Sequence, residues 1–285
     1  MVHNTRLFAL FSTKEMNIKY EKSSAKRENL TLPNLKRGEN MVILVDIGNS
    51  NIVVATHNGK ISETYRYKTD TTKSIDEYYV LVKDVIKGAT GMIISSVVPE
   101  LNIIFKNLAL KYLKIDPIFV GPGVKTGVQI IVDNPKEVGS DLVASATAAI
   151  SDYSDTVIVV DMGTATTITY IEKNVVKGIS IAAGLVTSRD ALISKASQLS
   201  QFEFKTPSKV IATNTVDCLN SGLIYGHSFM IKGLVEEIKR QFNVNPPVII
   251  SGGASRFVKE MFDDTYIFDE LLLLKGLHKI YLRNN

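Results

Sequence analysis

The chain has 285 residues, 45% hydrophobic and 22% charged, an ordinary globular composition with length for one large or two smaller cores. Its formal charge of +4 sits in the first 40 residues, which hold eight Lys or Arg and four Asp or Glu; residues 41–285 keep 25 of each sign, so this body carries no basic footprint for nucleic acid. The single cysteine, Cys218, excludes an intrachain disulfide and points to a reducing cytoplasm, and no apolar run approaches the roughly 20 residues that span a bilayer.

Residues 1–40 are polar and without sustained periodicity, and read as a flexible extension or as an upstream start, with Met41 as the alternative. From Met41 the pattern predicts strands over 41–46, 51–56 and 60–67, then a helix over 75–87 with Ser74 and Glu77 as a capping box and Gly88 as its stop. A strand over 91–95, a helix near 99–112 and a strand over 117–120 follow. The glycines and prolines of 121–135 mark a loop with a short extended piece, and a helix covers 137–152. Strands over 156–161, 165–171 and 175–181 then repeat the opening. A long helix over 214–242, a strand over 247–251, a helix over 254–262, a strand over 265–268 and a helix over 269–281 complete the pattern.

The repeat is specific. At an offset of 115, Val45-Asp46-Ile47-Gly48 lies on Val160-Asp161-Met162-Gly163, and a tight turn follows each second strand, at Asn58-Gly59 and Lys173-Asn174. This is an internal duplication of a hairpin that opens a βββαβαβα unit, and two related α/β halves with a cleft between them is the expected assembly.

Four stretches carry chemistry. In Asp46-Ile47-Gly48-Asn49-Ser50-Asn51 an apolar strand delivers a carboxylate suited to Mg²⁺ beside a triphosphate. The glycine after it lets backbone approach phosphate oxygens. Asp161-Met162-Gly163-Thr164 repeats that pattern, so two such turns would face one another and pinch a phosphate chain. Ile249-Ile250-Ser251-Gly252-Gly253 runs a strand into flat glycine surface at an expected helix start. Asp141 falls near the start of an alanine-lined helix, where spacing alone favours a helix cap over a general base. No Gly-x-x-x-x-Gly-Lys-Ser/Thr loop, dinucleotide fingerprint or Gly-x-Ser-x-Gly elbow is present.

Asp46-Ile47-Gly48-Asn49-Ser50-Asn51 resembles the first phosphate motif of the type III pantothenate kinases, within the actin/hexokinase/Hsp70 superfamily. The resemblance continues in order through Ser95-Ser96-Val97-Val98-Pro99, Gly121 to Gly127, Asn134 to Asp141, Asp161 to Thr167, Asn214-Thr215 and Ser221-Gly222. It implies two duplicated ribonuclease H-like (actin-like ATPase) α/β domains, at 41–152 and 153–285, each a mixed five-stranded sheet with helices. It implies transfer of phosphate from ATP to pantothenate, giving 4′-phosphopantothenate, the first step of coenzyme A synthesis, by a cytoplasmic homodimer. Asp46, Ile47, Gly48, Asn49, Ser50, Asn51, Ile52, Val53 and Thr164 would bind ATP, with Asp46 on Mg²⁺. Asp161 would hold K⁺ or NH₄⁺. Asp141 would be the base, and Gly139, Ser140, Asp141, Leu142 and Thr215 would bind pantothenate.

The chain departs from the family pattern at three places. Leu142 stands where an arginine is usual, Val132 where an aromatic is frequent, and Ala183-Gly184 where Pro-Gly is usual. The first removes a fixed cation beside the base. A nucleotide-binding regulator with weak or no kinase activity is therefore the second expectation. A two-metal nuclease using Asp46, Asp141 and Asp161 is a third, disfavoured by the balanced charge and the glycine turns.

Overall fold

The computed structural model describes residues 41–195 and 201–285, so the expected extension over 1–40 lies outside the described residues. Two mixed sheets repeat one topology. In the first, β1 (Val42–Ile47) pairs antiparallel with β2 (Asn51–His57) and β2 with β3 (Tyr65–Lys68). On its other side β1 runs parallel to β4 (Gly91–Ser96), and β4 to β5 (Ile118–Phe119), for the order β3-β2-β1-β4-β5. β6 (Gln129–Ile130) comes next in the chain. The second sheet repeats the order with β7 (Val157–Met162), β8 (Ala165–Glu172), β9 (Val175–Ala183), β10 (Val248–Ser251) and β11 (Tyr266–Phe268).

The second sheet has six strands, not the five expected. β6 crosses from the first half and lies parallel to β9, with Gln129 opposite Val175. Two residues are too short to carry an alternating pattern; the pairing depends on an edge that β9 supplies from 45 or so residues later.

Among the described residues seven α-helices pack on these sheets: α1 (Ile75–Ile86), α2 (Pro99–Leu108), α3 (Ser140–Asp152), α4 (Leu185–Lys195), α5 (Thr215–Asn220), α6 (Gly226–Phe242) and α7 (Leu272–Arg283). Along β1, Ile43, Val45 and Ile47 face α1 and α2, while Val42 and Leu44 face α3 and α7. Along β7, Ile158, Val160 and Met162 face α6, while Val157 and Val159 face the alanines of α3 and Leu272 of α7. Strands buried on both faces explain the unbroken apolar runs. α3 and α7 thus form a layer shared by both sheets. Where they cross, a Cβ on Gly276 would overlap the carbonyl of Ala144, so only glycine permits that approach.

Several expected elements are corrected. The strand expected over 60–67 shortens to β3, because the Ser62 hydroxyl accepts the Thr56 amide at 2.9 Å and replaces ladder pairing there. The helix expected near 99–112 ends at Leu108 in a wider turn over Ala109–Leu113, closed by Lys114 at φ 59°. The helix expected over 254–262 is two 3-10 turns, Ser255–Phe257 and Lys259–Met261. α4 has no counterpart among the expected elements; of its residues only Leu185 is fully buried, so it has no apolar stripe to read. Among the described residues no helix is long and apolar enough to cross a membrane.

Candidate active site

Strand alternation aims both duplicated aspartates at the shared α3/α7 layer. In β1 the residues facing that layer are Val42, Leu44 and then Asp46; in β7 they are Val157, Val159 and then Asp161. α3 begins in the same layer and carries Asp141 in its first turn. Three carboxyl groups from three elements therefore converge.

Their electrostatics record it. Burial, then the Asp141 and Asp161 charges, push Asp46 up to about 7, against a hydrogen bond from Ser95 and the Arg66 charge. Burial and the Asp141 charge push Asp161 to about 7. Burial raises Asp141, against the Leu142 amide that donates to its Oδ1 at 2.8 Å. The capping expectation for Asp141 is corrected: the cap position is Gly139 with no side-chain cap, and Asp141 lies inside the helix. A Cβ on Gly139 would overlap the Asp141 carboxylate, so that glycine gives the carboxylate its room.

The two glycine turns meet. Ser50 Oγ and Thr164 Oγ1 are hydrogen-bonded at 2.9 Å across 114 residues of sequence. Each turn closes its own hairpin, with the Gly48 amide donating to Asn51 O and the Gly163 amide to Ala165 O, both at 3.0 Å. Each is also held by a threonine beyond its third strand. Thr69 Oγ1 donates to Gly48 O and Thr187 Oγ1 to Thr164 O, both at 2.6 Å. Asn49, Ser50, Gly163 and Thr164 are exposed at the mouth. Ile47 and Ile52 are fully buried in the core, so they offer a ligand only backbone, while Val53 packs partly on the inner layer.

Gly252 completes the floor beneath Asp161. Its φ is +88°, and a Cβ there would overlap the Asp161 carboxylate and lie 2.5 Å from the Met162 amide nitrogen. The Ala254 amide donates to Met162 O at 3.1 Å and ties this turn to β7. Thr167, opposite Asp161 in β8, has a buried Oγ1 without a hydrogen-bond partner among the described residues.

These donors fit cations. Two carboxylates held near neutral pKa by burial and by the Asp141 charge are relieved by positive charge, and the unpartnered Thr167 oxygen lies on the same row as Asp161. Among the described residues no group of three or more His, Cys, Asp or Glu forms a cage by itself. Mg²⁺ needs none, since one or two carboxylates with phosphate oxygens and water suffice.

The residues expected around the acceptor divide. Gly139, Ser140, Asp141 and Leu142 form one turn beside Asp46, but the Ser140 hydroxyl is committed to β4: it accepts the Ser96 amide at 2.8 Å and donates to Ser96 O at 3.0 Å. It therefore pins α3 to the strand next to Asp46. Leu142 is half-buried and apolar where a guanidinium would stand. Thr215 is exposed on the first turn of α5 behind the Asn214 cap, and Cys218 of the same helix lines an apolar groove with Ile211, Tyr225 and Phe229. Sequence reasoning missed Ser95, Thr69, Thr187 and Arg66; counting register outward from Asp46 would have found Ser95 and Arg66.

Among solved structures the chain is similar to the following, the first of which shares its fold. A protein of Campylobacter jejuni assigned to the Baf family of transcriptional activators matches at a TM-score of 0.58 and 22% identity, covering 85% of this chain and 98% of that one. MreB 5 of Spiroplasma citri bound to AMPPNP matches at 0.49 and 10%, covering 85% and 96%. A ROK family glucokinase from Streptomyces griseus with glucose and AMPPNP matches at 0.45 and 12%, covering 86% and 98%. The family model for type III pantothenate kinase matches residues 42–237, well over half the chain. With that match, and with both aspartate–glycine turns and Asp141 inside it, the chain belongs to the type III pantothenate kinase family, a family of ATP-using phosphotransferases.

Proposed function

We propose that this protein transfers the γ-phosphoryl group of ATP to the primary hydroxyl of pantothenate, giving ADP and 4′-phosphopantothenate, the entry step of coenzyme A synthesis. The observation that carries the reading is the convergence of Asp46, Asp141 and Asp161 beneath two glycine turns joined through Ser50 and Thr164. Backbone at Gly48 to Asn51 and at Gly163-Thr164 cradles the phosphate chain. Asp46 holds Mg²⁺ and Asp161 a monovalent cation, K⁺ or NH₄⁺; when bound, these neutralise charge on the phosphates.

Asp141 accepts the proton as the acceptor oxygen forms its bond to phosphorus and the bond to the ADP oxygen breaks. Burial raises its pKa above that of a free carboxylate, which makes its ionised form a stronger proton acceptor. Gly139 leaves room for its carboxylate, and Ser140 fixes its helix to β4. Pantothenate lies along Gly139 to Leu142 and reaches Thr215 on α5. A homodimer is supported by the apolar surface around α5 and α6, where Ile211 is 83% and Phe229 53% exposed. The lone Cys218 is in keeping with work in a reducing cytoplasm.

The test is ADP release with and without pantothenate, in K⁺ and in Na⁺. Pantothenate-dependent release that Asp141→Asn abolishes supports the reading; equal release by the variant removes Asp141 as base. A second reading, a nucleotide-binding regulator with little turnover, rests on Leu142 in place of arginine. Tight ATP binding without pantothenate-dependent release would favour it, and recovery of turnover in Leu142→Arg would name the cause.

A further inference from the structure

Arg66 reaches the mouth of the cleft, and among the described residues it makes no hydrogen bond or ion pair. Arg66 lies in β3, opposite Val53, which lies opposite Asp46, which in turn lies opposite Ser95 of β4. Residues directly opposite one another in a sheet share a face, so Ser95, Asp46, Val53 and Arg66 form one row facing the inner layer. Arg66 is in this row although β3 is an exposed edge strand.

The guanidinium crosses from the first half to the second. Its two terminal nitrogens and Cζ lie 3.2, 3.4 and 3.5 Å from where a Cβ would stand on Gly253. Three atoms so nearly equidistant mean that the plane lies across the glycine rather than pointing at it. Gly253 belongs to the turn whose preceding residue, Gly252, floors Asp161. The charge also acts on Asp46. Arg66 is thus within reach of both turns, and none of its donors is taken by a carboxylate or carbonyl among the described residues.

The duplication supplies an internal control. The matching row of the second sheet runs Ser251, Asp161, Thr167, Ile181. Its end position is an isoleucine, 69% exposed. The fold therefore does not require a charged or polar residue at that edge, and the arginine serves the cleft, not the sheet.

We propose that Arg66 is a phosphate-binding residue that extends its planar fork across the cleft from β3 onto Gly253 and clamps a phosphate of the bound nucleotide from the first half. The proposal rests on the reading that nucleotide phosphates lie between the Gly48 and Gly163 turns. A guanidinium with free donors matches phosphate oxygens two at a time, which an ammonium cannot do. It also places a fixed cation near the phosphates in a chain that lacks the arginine usual at position 142.

The experiment titrates Mg²⁺–AMPPNP and, separately, adenosine into wild type, Arg66→Gln and Arg66→Lys, with thermal melts of the ligand-free proteins as the check on folding. The expected result is roughly 10–100-fold weaker AMPPNP binding in Arg66→Gln, the range of a charge-assisted hydrogen bond. Arg66→Lys should recover part of it and adenosine should bind all three alike. Unchanged AMPPNP affinity in Arg66→Gln would make Arg66 a solvated edge residue. An equal loss for adenosine would put the guanidinium on the base, and would also overturn the phosphate role. Failure of the wild type to bind AMPPNP would sink the underlying reading itself, a result separable from either of these.

Discussion

The two aspartate–glycine turns are copies in backbone and share the serine beside each aspartate, Ser95 and Ser251, but they part on the other side of the row. Both hairpins present an aspartate to the shared α3/α7 layer, and both are strapped by a threonine hydroxyl at 2.6 Å. Around Asp46 the row ends in Ser95 and Arg66, a hydrogen-bond donor and a cation. Around Asp161 the row holds the unpartnered hydroxyl of Thr167 and ends in Ile181. The first surrounding gives a carboxylate help from the protein. The second leaves it beside a buried hydroxyl, with no charge of a Lys or Arg among the described residues acting on it, in keeping with the monovalent-cation role proposed above. Duplication fixed the frame, and divergence along one row of each sheet gave the two aspartates different surroundings.

Asp141 belongs to neither copy, and its charge raises both aspartates. The largest effect is therefore expected from Asp141→Asn: a loss of about 10²–10⁴ in turnover with little change in the KM for ATP, measured by coupled ADP release. In the wild type the rate should fall as pH drops through the raised pKa of this group.

The second effect is on stability. Asp46 and Asp161 have folded pKa values of about 7, above the roughly 3.9 of an unfolded aspartate. Between those values the folded protein keeps protons that the unfolded chain has released. With cations chelated, stability should then fall as pH rises from about 4 to about 7 and level off above. Asp46→Asn and Asp161→Asn should each flatten that slope and raise stability at pH 7.5 by up to about 4 kcal/mol, seen as a higher melting temperature, while impairing catalysis. Added K⁺ should stabilise the wild type and fail to stabilise Asp161→Asn; equal stabilisation of both would erase the distinction between the two turns.

Smaller effects test the turns themselves. A Cβ on Gly184 would overlap the carbonyls of Gly163 and Thr164 and lie 2.8 Å from the Thr164 carbonyl carbon, whereas one on Gly163 would meet Ala165 O at an ordinary 3.6 Å. Gly184→Ala should cost about 1–3 kcal/mol in denaturant unfolding, and Gly163→Ala about 0.5 or less. The reverse order would mean that the second turn is not braced by the end of β9. The weakest is the bridge between copies. A double-mutant cycle of Ser50→Ala and Thr164→Ala should give a coupling of about 0.5–1.5 kcal/mol in the ligand-free protein. Zero coupling would mean that the turns are held apart until nucleotide arrives.

What sequence could reveal followed the range of the forces involved. The apolar strands, the capping box at Ser74 and Glu77, and the offset between the halves are local or repetitive, and they appear within a residue or two of where the pattern predicts them. The Asp46 and Asp161 turns were legible for the same reason. β6 was not, because a two-residue strand exists only through an edge formed elsewhere. The 3-10 turns after Gly253 were not, because Ala254, Phe257, Val258 and Met261 meet the second core at i, i+3, i+4 and i+7, a spacing that reads as one helix although the backbone forms two short turns. Arg66 sat inside an expected strand, but only its lateral register against Asp46 gives it meaning.

The α7 layer has a consequence for how the chain is made. Val42, Leu44, Ala55 and Ile93 of the first sheet are covered in part by Leu274, Leu277 and Ile280, the final helix of the fold. A ribosome delivers those strands well before the α7 part of their cover. Until α7 emerges, that side of the first sheet is covered only by α3, which invites chaperones or premature self-association. Removal of α7 would leave the finished protein in that same nascent condition.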